Sequence, residues 1–309
     1  MATFKNIHLL YNPCAGQLRG WRAGRVDRVI EVLRAAGHGV TPMPTSGPGT
    51  AGQIAKDSVK SGADLILALG GDGTLNEVLT GVIHSDVPLA VIPAGTANVF
   101  AREIGLGTKP LKAAARLHEL VPRRVSAGLL RCEPGPRERY FLLMAGVGLD
   151  AHIVYNLNLP LKFRMGQIAY WLGAFKQFAR RLDEFEVQAG GASYRCTFAL
   201  ASRVRNYAGY LEIAQSTSLL EDDFEFVLFE GRSTLRFYSK YLGAVVTGRT
   251  SNTKGIRFLR GGKACFFGPA GSRVYVQVDG EYAGRLPAAV EIVPAAVTVL
   301  IPPDYPRTS

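Results

Sequence analysis

A carboxylate stands among glycines in the segment LILALGGDGTLNEV, residues 65–78. Its apolar run stops at a Gly-Gly-Asp-Gly-Thr stretch over residues 70–74, and helix-forming residues follow. Glycines let a backbone approach a phosphate closely because no Cβ lies in the way. The N–H groups of a first helical turn lack intrahelical partners and, together with the helix dipole, they attract anions. The segment therefore predicts phosphate binding at the end of a buried strand.

Asp72 is the unusual residue of this stretch, because a carboxylate repels phosphates unless a cation lies between them. Mg²⁺ is the cation that most ATP-using sites employ. Thr74 can cap the following helix or donate its hydroxyl to the ligand. Taken alone, the stretch is better explained by an Asp72 that only caps the helix and by glycines that form a tight turn.

Two more predicted strands end in similar polar, glycine-containing loops. One loop follows the strand in LLYNPCAG and carries Asn12, and the other lies in VIPAGTANVFARE and carries Thr96. Because ligands of open parallel sheets bind beyond the carboxyl ends of the strands, three such loops favour one shared ligand. The sequence has no Gly-x4-Gly-Lys-[Ser/Thr] P-loop, and GVGLDA (146–151) lacks the acidic residue that a dinucleotide site places about 20 positions later.

The N-terminal part of the chain alternates apolar strand patterns with helical patterns. In RVDRVIEVLRAA, for example, Val26, Ile30 and Leu33 share one helical face. Continuous apolar strands between helices predict a parallel sheet that is covered on both faces. The predicted strands are IHLLY, GVTPM, ADLILAL and PLAVIP, and the predicted helices cover residues 25–36, 49–59, 74–83 and 96–105.

From about Val125 onward, short strand patterns separated by turn residues predict a second, β-rich domain. Two helical patterns interrupt it, over residues 165–182 and 233–248. We therefore predict an α/β domain over residues 1–125 and a β-rich domain over residues 126–295, with a strand within about 296–309 returning to the first domain. The β-rich strand patterns are RRVSAGLLRC, RYFLLMAGV, EFEVQAG, SYRCTFALAS, FEFVLFE, KACFFG and RVYVQVDGE.

The order of five motifs resembles that of the diacylglycerol kinase catalytic-domain family over nearly the whole chain. The motifs are NPCAG, GGDGTLNEV, PAGTANVFAREIG, GVGLDA and VDGE. That family contains soluble bacterial lipid kinases and sphingosine and ceramide kinases, and it is distantly related to NAD kinases. The resemblance implies an α/β domain with a parallel sheet, a β-sandwich domain, and transfer of phosphate from ATP with Mg²⁺ to a lipid such as diacylglycerol. Two alternatives stay open, a kinase of a soluble alcohol such as NAD and a non-catalytic nucleotide- or lipid-binding protein.

The resemblance also implies roles for single residues of the first domain. The loop over residues 70–76 would hold the phosphates of ATP, with Asp72 acting through Mg²⁺. Thr96 would hydrogen-bond the nucleotide, and Asn12 and Thr45 would lie at the same site. The nucleotide-binding residues that the resemblance implies are Asn12, Thr45, Gly70, Gly71, Asp72, Gly73, Thr74, Leu75, Asn76 and Thr96.

The VDGE motif of the second domain supplies the implied catalytic residues. Glu281 resembles the proton acceptor for the lipid hydroxyl, and Asp279 would support it. The residues by themselves favour an ordinary hairpin, because Asp-Gly between strand residues is a strong hairpin signal. The two interpretations are compatible, since a rigid hairpin can present Glu281 to a substrate.

One residue departs from the family pattern. Val99 stands in GTANVFARE where the family often has an aspartate that links a structural Mg²⁺ of the second domain to the active site. Valine cannot bind a cation, so it cannot form that link. The matching acidic segment contains Asp222 and Asp223, which predict either a metal site or an acidic turn before a strand.

Composition and charge narrow the class of protein and its location. The formal net charge of +11 favours phosphate-bearing partners, of which the resemblance selects nucleotide and lipid and not nucleic acid. No secretory signal, membrane span, CxxC, HExxH or GxSxG pattern is present, so we expect a cytoplasmic kinase with reduced thiols. Residues 162–181 fit either a helix lying on an anionic membrane or a core helix with a basic edge. Peripheral membrane contact and a homodimer therefore stay open.

Overall fold

The structure is a computed structural model of the 309-residue chain. It describes residues 3–18, 24–133, 137–148, 183–207, 211–230, 253–269, 271 and 274–306. They belong to two compact units, one of Met1–Ala127 with Pro294–Ser309 and one of Gly128–Val293. The predicted helices over residues 165–182 and 233–248, and with them the membrane contact that the sequence leaves open, lie outside the described residues.

The first unit contains a parallel sheet in the order β2-β1-β3-β4. Its strands are continuous apolar runs, and all six residues of β3 are buried, as a sheet covered on both faces requires. The strands are β1 (Ile7–Tyr11), β2 (Val40–Pro44), β3 (Leu65–Gly70) and β4 (Leu89–Pro93). The helices are α1 (Arg25–Ala35), α2 (Ala51–Lys60), α3 (Asp72–Val82), α4 (Val99–Glu103) and α5 (Pro110–Ala115).

The helices of this unit are short and amphipathic. In α1 the buried residues are Val26, Val29, Ile30 and Leu33, which recur at the spacing of one helical face. The longest described helices, α1 and α3, have 11 residues each, whereas a membrane span needs about 20. Among the described residues no helix is long and apolar enough to cross a membrane.

The second unit is built from antiparallel strands. Neighbouring strands pair in the order β14-β13-β10-β7-β16-β17, and a second series of paired strands has the order β17-β15-β8-β9. Two strands, β5 (Val121–Glu133) and β17 (Glu281–Ile301), have residues in both units. The others are β6 (Arg137–Phe141), β7 (Met144–Gly148), β8 (Phe185–Ala189), β9 (Ala192–Cys196), β10 (Phe198–Ser202), β11 (Asn206–Tyr207), β12 (Leu211–Glu212), β13 (Phe224–Phe229), β14 (Ile256–Gly261), β15 (Lys263–Phe267) and β16 (Tyr275–Val278).

The core of the second unit is apolar and aromatic. Phe141 stacks on Phe224 with ring centroids 5.7 Å apart, and Phe224 contacts Phe226 at 5.5 Å. Together with Phe266 and Val276 these rings belong to one buried cluster. The predicted fold class, a parallel α/β domain followed by a β-rich domain, is confirmed.

Two predicted strands are each divided in the structure. The run RYFLLMAGV contains the end of β6 and most of β7, and the buried residues Leu142 and Leu143 lie between the two strands. The run SYRCTFALAS likewise contains β9 and β10, separated by the buried Thr197. In both cases the apolar pattern continues through the break because the connecting residues are themselves buried, so hydrophobicity alone does not mark it.

The final strand is longer than its sequence pattern indicates. β17 begins at Glu281, pairs with β16 and β15 in the second unit, and continues to Ile301. Its last residues belong to the first unit, where Val299 pairs in parallel with Leu89 of β4. One strand therefore contributes its first half to the antiparallel sheet and its last residues to the parallel one.

Candidate active site

Three loops of the first unit meet at the carboxyl edge of its sheet; we call residues 12–18, 70–74 and 94–98 the strand-end loops. The carbonyl of Gly70 accepts hydrogen bonds from the N–H groups of Ala94 and Gly95, at 2.7 and 3.2 Å. The N–H of Gln17 donates to the carbonyl of Ala94 at 3.0 Å. Because β1, β3 and β4 are parallel, their ends lie side by side and the loops bond directly to one another. The structure thus brings the three predicted loops together.

Two glycines in these loops face each other. A Cβ on Gly95 would lie 2.4 Å from the Cα of Gly71, and a Cβ on Gly71 would lie 3.1 Å from the Cα of Gly95. A Cβ on Gly70 would similarly lie 2.6 Å from the hydroxyl oxygen of Thr74. At these positions, close packing within the protein accounts for the glycines. The glycines therefore do not by themselves indicate a phosphate.

Asp72, at the first position of α3, is turned toward the start of α4. Its Oδ1 accepts the N–H of Phe100 at 3.2 Å. Burial of the carboxyl is the largest influence on its pKa and raises it, while backbone N–H groups from residues 98–100 oppose that rise by stabilising the charged form. Asp72 thus acts as an N-terminal cap of α4, a helix that is distant from it in the sequence.

Glu77 caps a second helix from the same segment. Its two carboxylate oxygens accept the N–H groups of Gly49, at 2.8 Å, and Ala51, at 3.1 Å, at the start of α2. The sequence pattern indicates no specific role for Glu77. An acidic residue near the start of a helix can cap a helix, and this is the one indication that the sequence gives. The N–H groups that Glu77 caps lie 26 and 28 residues earlier in the chain, so the sequence does not identify them.

The GTAN turn is fixed by Asn98, a residue for which the sequence pattern also indicates no role. Its backbone is left-handed, with φ of 51°, a conformation that asparagine tolerates better than most residues. Its Oδ1 accepts the N–H of Gly95 at 2.9 Å, and its Nδ2 donates to the carbonyl of Gly95 at 3.0 Å. Thr96 projects from this turn, and its Oγ1 would lie 3.7 Å from a Cβ on Gly16 in the first strand-end loop.

The remaining predicted nucleotide residues divide into edge and interior positions. Asn12 lies in the first strand-end loop, where its Oδ1 accepts the N–H of Cys14 at 2.8 Å. Thr45 follows β2 and donates its N–H to the carbonyl of Tyr11 at 2.9 Å. Leu75 and Asn76 are buried in α3, so these two side chains do not lie at the surface of the edge.

In the second unit, VDGE forms a two-residue hairpin turn between β16 and β17. Val278 pairs with Glu281, and the turn residues Asp279 and Gly280 have φ of 49° and 82°, as a type I′ turn requires. The Asp279 carboxylate accepts the N–H of Met144 at 2.9 Å and that of Leu143 at 3.3 Å, and its own N–H donates to the Met144 carbonyl at 3.0 Å. Asp279 therefore anchors the turn to the start of β7.

Glu281, immediately after the turn, forms an ion pair. Its Oε2 accepts a hydrogen bond from Nη2 of Arg139 at 3.1 Å, and Nη1 of the same arginine donates to the Tyr282 carbonyl at 3.0 Å. The Glu281 side chain keeps 37% of its surface exposed. A carboxylate on a rigid turn is thus held at the surface, within reach of a solute.

The acidic segment before β13 binds an arginine. Arg260 donates to Asp223 through two nitrogens, at 2.9 and 2.5 Å, and to Glu221 at 2.5 Å. The two carboxylates raise the pKa of Arg260 further. No group of three His, Cys, Asp or Glu suited to a metal occurs in the described part of the chain. The metal site at Asp222 and Asp223 stays a prediction. A metal ion bound to Asp223 would compete with Arg260, which donates to that carboxylate.

Fold and site together define a two-unit protein with a parallel α/β unit and an antiparallel β unit. The diacylglycerol kinase catalytic domain model matches residues 6–130, and the model of the YegS C-terminal NAD kinase β-sandwich-like domain matches residues 144–301. The chain therefore belongs to the proteins that combine a diacylglycerol kinase catalytic domain with this C-terminal domain, which confirms the resemblance, and it is a kinase by class.

Relatives match the chain from end to end. It is 27% identical over 306 residues to a diacylglycerol kinase of Bacillus subtilis (strain 168), covering 97% of each chain. It is 26% identical over 311 residues to a diacylglycerol kinase of Staphylococcus saprophyticus, covering 97% of this chain and 96% of the relative. A crystal structure of a diacylglycerol kinase from Bacillus anthracis str. Sterne superposes with a TM-score of 0.77 and 21% identity over 97% of this chain and 98% of that chain, which shows a shared fold.

Proposed function

We propose that this chain is an ATP-dependent lipid kinase that phosphorylates the hydroxyl of diacylglycerol or a related lipid. Membership of the family supports the reaction, and the end-to-end match to proteins named diacylglycerol kinase supports the acceptor. The observation that carries the proposal is the set of strand-end loops bonded to one another beside the N-terminus of α3. In this proposal the first unit binds nucleotide and the β-rich unit binds lipid.

The N-terminus of α3 suits the phosphates of ATP. This helix has 11 residues and begins immediately after β3, so its dipole and its first-turn N–H groups favour an anion at that end. Gly73 and Thr74 lie in that first turn. Thr96, Asn12 and Thr45 lie at the same sheet edge and are the groups that would bind the rest of the nucleotide.

The donor set fits Mg²⁺ less well. Within the strand-end loops Asp72 is the acidic residue, and its carboxylate already accepts the backbone N–H of Phe100. This carboxyl is buried, and burial raises its pKa and so disfavours the charged form that would bind a cation. We therefore assign Asp72 to holding the GTAN turn. The proposed reaction does not use a metal ion bound to Asp72. Mg²⁺ enters the proposal only as the ion that accompanies ATP in phosphoryl transfer.

Glu281 is the group that would accept the proton of the lipid hydroxyl. Phosphoryl transfer depends on positioning and charge stabilisation and needs a proton acceptor within hydrogen-bond reach of the attacking oxygen. Asp279 supports Glu281 by anchoring the hairpin rather than by contacting the substrate. The O–H bond of the acceptor breaks, its proton moves to Glu281, and its oxygen bonds to the γ-phosphorus as ADP leaves.

The test is incubation of the purified chain with γ-labelled ATP and total lipid extract, with NAD in a parallel reaction. We expect label in a lipid that co-migrates with phosphatidic acid or a related phospholipid. Label in NAD alone would show that the acceptor is a soluble alcohol and not a lipid. Nucleotide binding without label in either acceptor would point to a non-catalytic protein.

A further inference from the structure

Arg139 joins the proposed base to the backbone of its own hairpin. One guanidinium nitrogen contacts Glu281 Oε2 at 3.1 Å and another contacts the Tyr282 carbonyl at 3.0 Å. The guanidinium is planar and its donors have a fixed geometry, so two such bonds orient it. The flexible Glu281 side chain is thereby held against a fixed point of β17.

The contact occupies one oxygen of the carboxylate. Arg139 donates to Oε2, and within the described residues no donor reaches Oε1 of Glu281. A carboxylate oxygen without a donor can accept a proton from a hydroxyl, whereas the oxygen facing the guanidinium already accepts an N–H. The arginine therefore determines which oxygen of Glu281 accepts its N–H and which oxygen is left to accept another donor.

Other charged groups near the turn have separate partners. The Asp279 carboxylate accepts two backbone N–H groups of residues 143 and 144. The guanidinium of Arg285, on the same strand as Glu281, lies over the ring of Tyr275 at 5.3 Å. Among the described residues, Arg139 is the cation that forms an ion pair with Glu281.

We propose that Arg139 is a positioning residue for phosphoryl transfer, acting through Glu281 by holding its carboxylate so that Oε1 faces the acceptor hydroxyl. The inference depends on the proposed role of Glu281 as base. A partly exposed ion pair contributes little to stability, so the effect of Arg139 should appear in turnover rather than in folding. Misplacing a catalytic group by about 1 Å can cost about 100-fold in rate.

The experiment is a double-mutant cycle of R139Q and E281Q on the full chain, measuring kcat with lipid and KM for ATP. We expect R139Q to lower kcat by about 10- to 100-fold with KM for ATP unchanged. R139K keeps the positive charge and one donor nitrogen, so it should lose less than R139Q. In the E281Q background, R139Q should cause no further loss, because it acts through the group already removed. R131Q is the matched control, because Arg131 also bonds two partners, Glu138 and Glu291, in the second unit, and it should keep wild-type kcat.

The outcomes separate this inference from the proposed function. If E281Q is impaired while R139Q and R139K turn over at the wild-type rate, the positioning role is overturned and the base assignment survives. An equal loss from R139Q in both backgrounds would also overturn it, since Arg139 would then act independently of Glu281. If E281Q itself turns over at the wild-type rate, the base assignment and the positioning role both fail. Should R139Q not fold, R139K decides, and wild-type kcat in that variant would overturn the inference.

Discussion

The carboxylate of Asp72 accepts the backbone N–H of Phe100, a residue 28 positions later, with 3.2 Å between Oδ1 and N. This bond joins the start of α3 to the start of α4 and so links the GGDGT and GTAN segments. It lies beside the contact of Gly71 with Gly95. The two motifs therefore form one structural assembly.

Removing this cap should destabilise the fold. For Asp72→Ala we expect the free energy of unfolding to fall by about 1 kcal/mol, the usual size of a lost N-terminal cap, as measured by urea denaturation. The matched control is Asp86→Ala, an exposed aspartate in a loop, which should change it by less than about 0.5 kcal/mol. Equal stability of Asp72→Ala and wild type would show that the Phe100 contact contributes nothing.

The charge of Asp72 can be tested apart from its cap. Asp72→Asn keeps an oxygen that can accept the Phe100 N–H and removes the negative charge. If the residue only holds the turn, Asp72→Asn should bind ATP with the affinity of the wild type, both with and without Mg²⁺. Calorimetric titration measures these affinities. A loss of affinity confined to the Mg²⁺ condition, at wild-type stability, would contradict this assignment and favour the metal role implied by the family resemblance.

The Gly71–Gly95 contact gives a second prediction. Gly95→Ala places a Cβ 2.4 Å from the Cα of Gly71, so the strand-end loops must separate, at a cost of about 2 kcal/mol for an overpacked site. In Gly47→Ala the new Cβ meets no atom within 4 Å, and stability should stay within about 0.5 kcal/mol of wild type. Thermal unfolding compares the two variants. Equal midpoints would show that the loops are not packed as the structure has them.

The arrangement of strands and helices in the first unit was largely predictable. IHLLY and PLAVIP are continuous apolar runs between polar loops, and β1 and β4 fall at them within one residue. Such runs indicate strands that are buried on both faces, because helices cover both faces of a parallel sheet. The strand-end residues Asn12 and Thr96 were predictable for the same reason, because parallel strands place their carboxyl ends at one edge.

The partners within the site were not predictable. Arg139 and Glu281 are 142 positions apart, and Asp72 lies on a different helix from the one it caps. Charge and spacing along the chain show which residues can cap or pair, but the partner is set by tertiary packing. The same holds for Arg260, which pairs with Asp223, one of the two aspartates of the predicted metal site, and with Glu221.

His38 should make stability depend on pH. Burial lowers the pKa of His38 below its ordinary value, because it disfavours the charged imidazolium. The folded chain then binds fewer protons than the unfolded chain, and the free energy of unfolding should fall as pH drops below about 6.5. Urea denaturation between pH 8 and pH 5.5 should show this fall. His38→Gln should reduce its slope, whereas an unchanged slope would assign the effect to another group.

Lipid turnover and ATP affinity of Glu281→Gln, measured side by side, test the central claim most directly. The substitution keeps size and shape but removes proton acceptance, so kcat for lipid should fall by about 10²- to 10⁴-fold, the usual contribution of a general base. ATP affinity should be unchanged, because the nucleotide is assigned to the first unit. Glu291→Gln is the matched control, since Glu291 lies on the same strand and also pairs with an arginine, and its kcat should equal that of wild type. A Glu281→Gln enzyme with wild-type kcat would contradict the account and reduce VDGE to a hairpin turn.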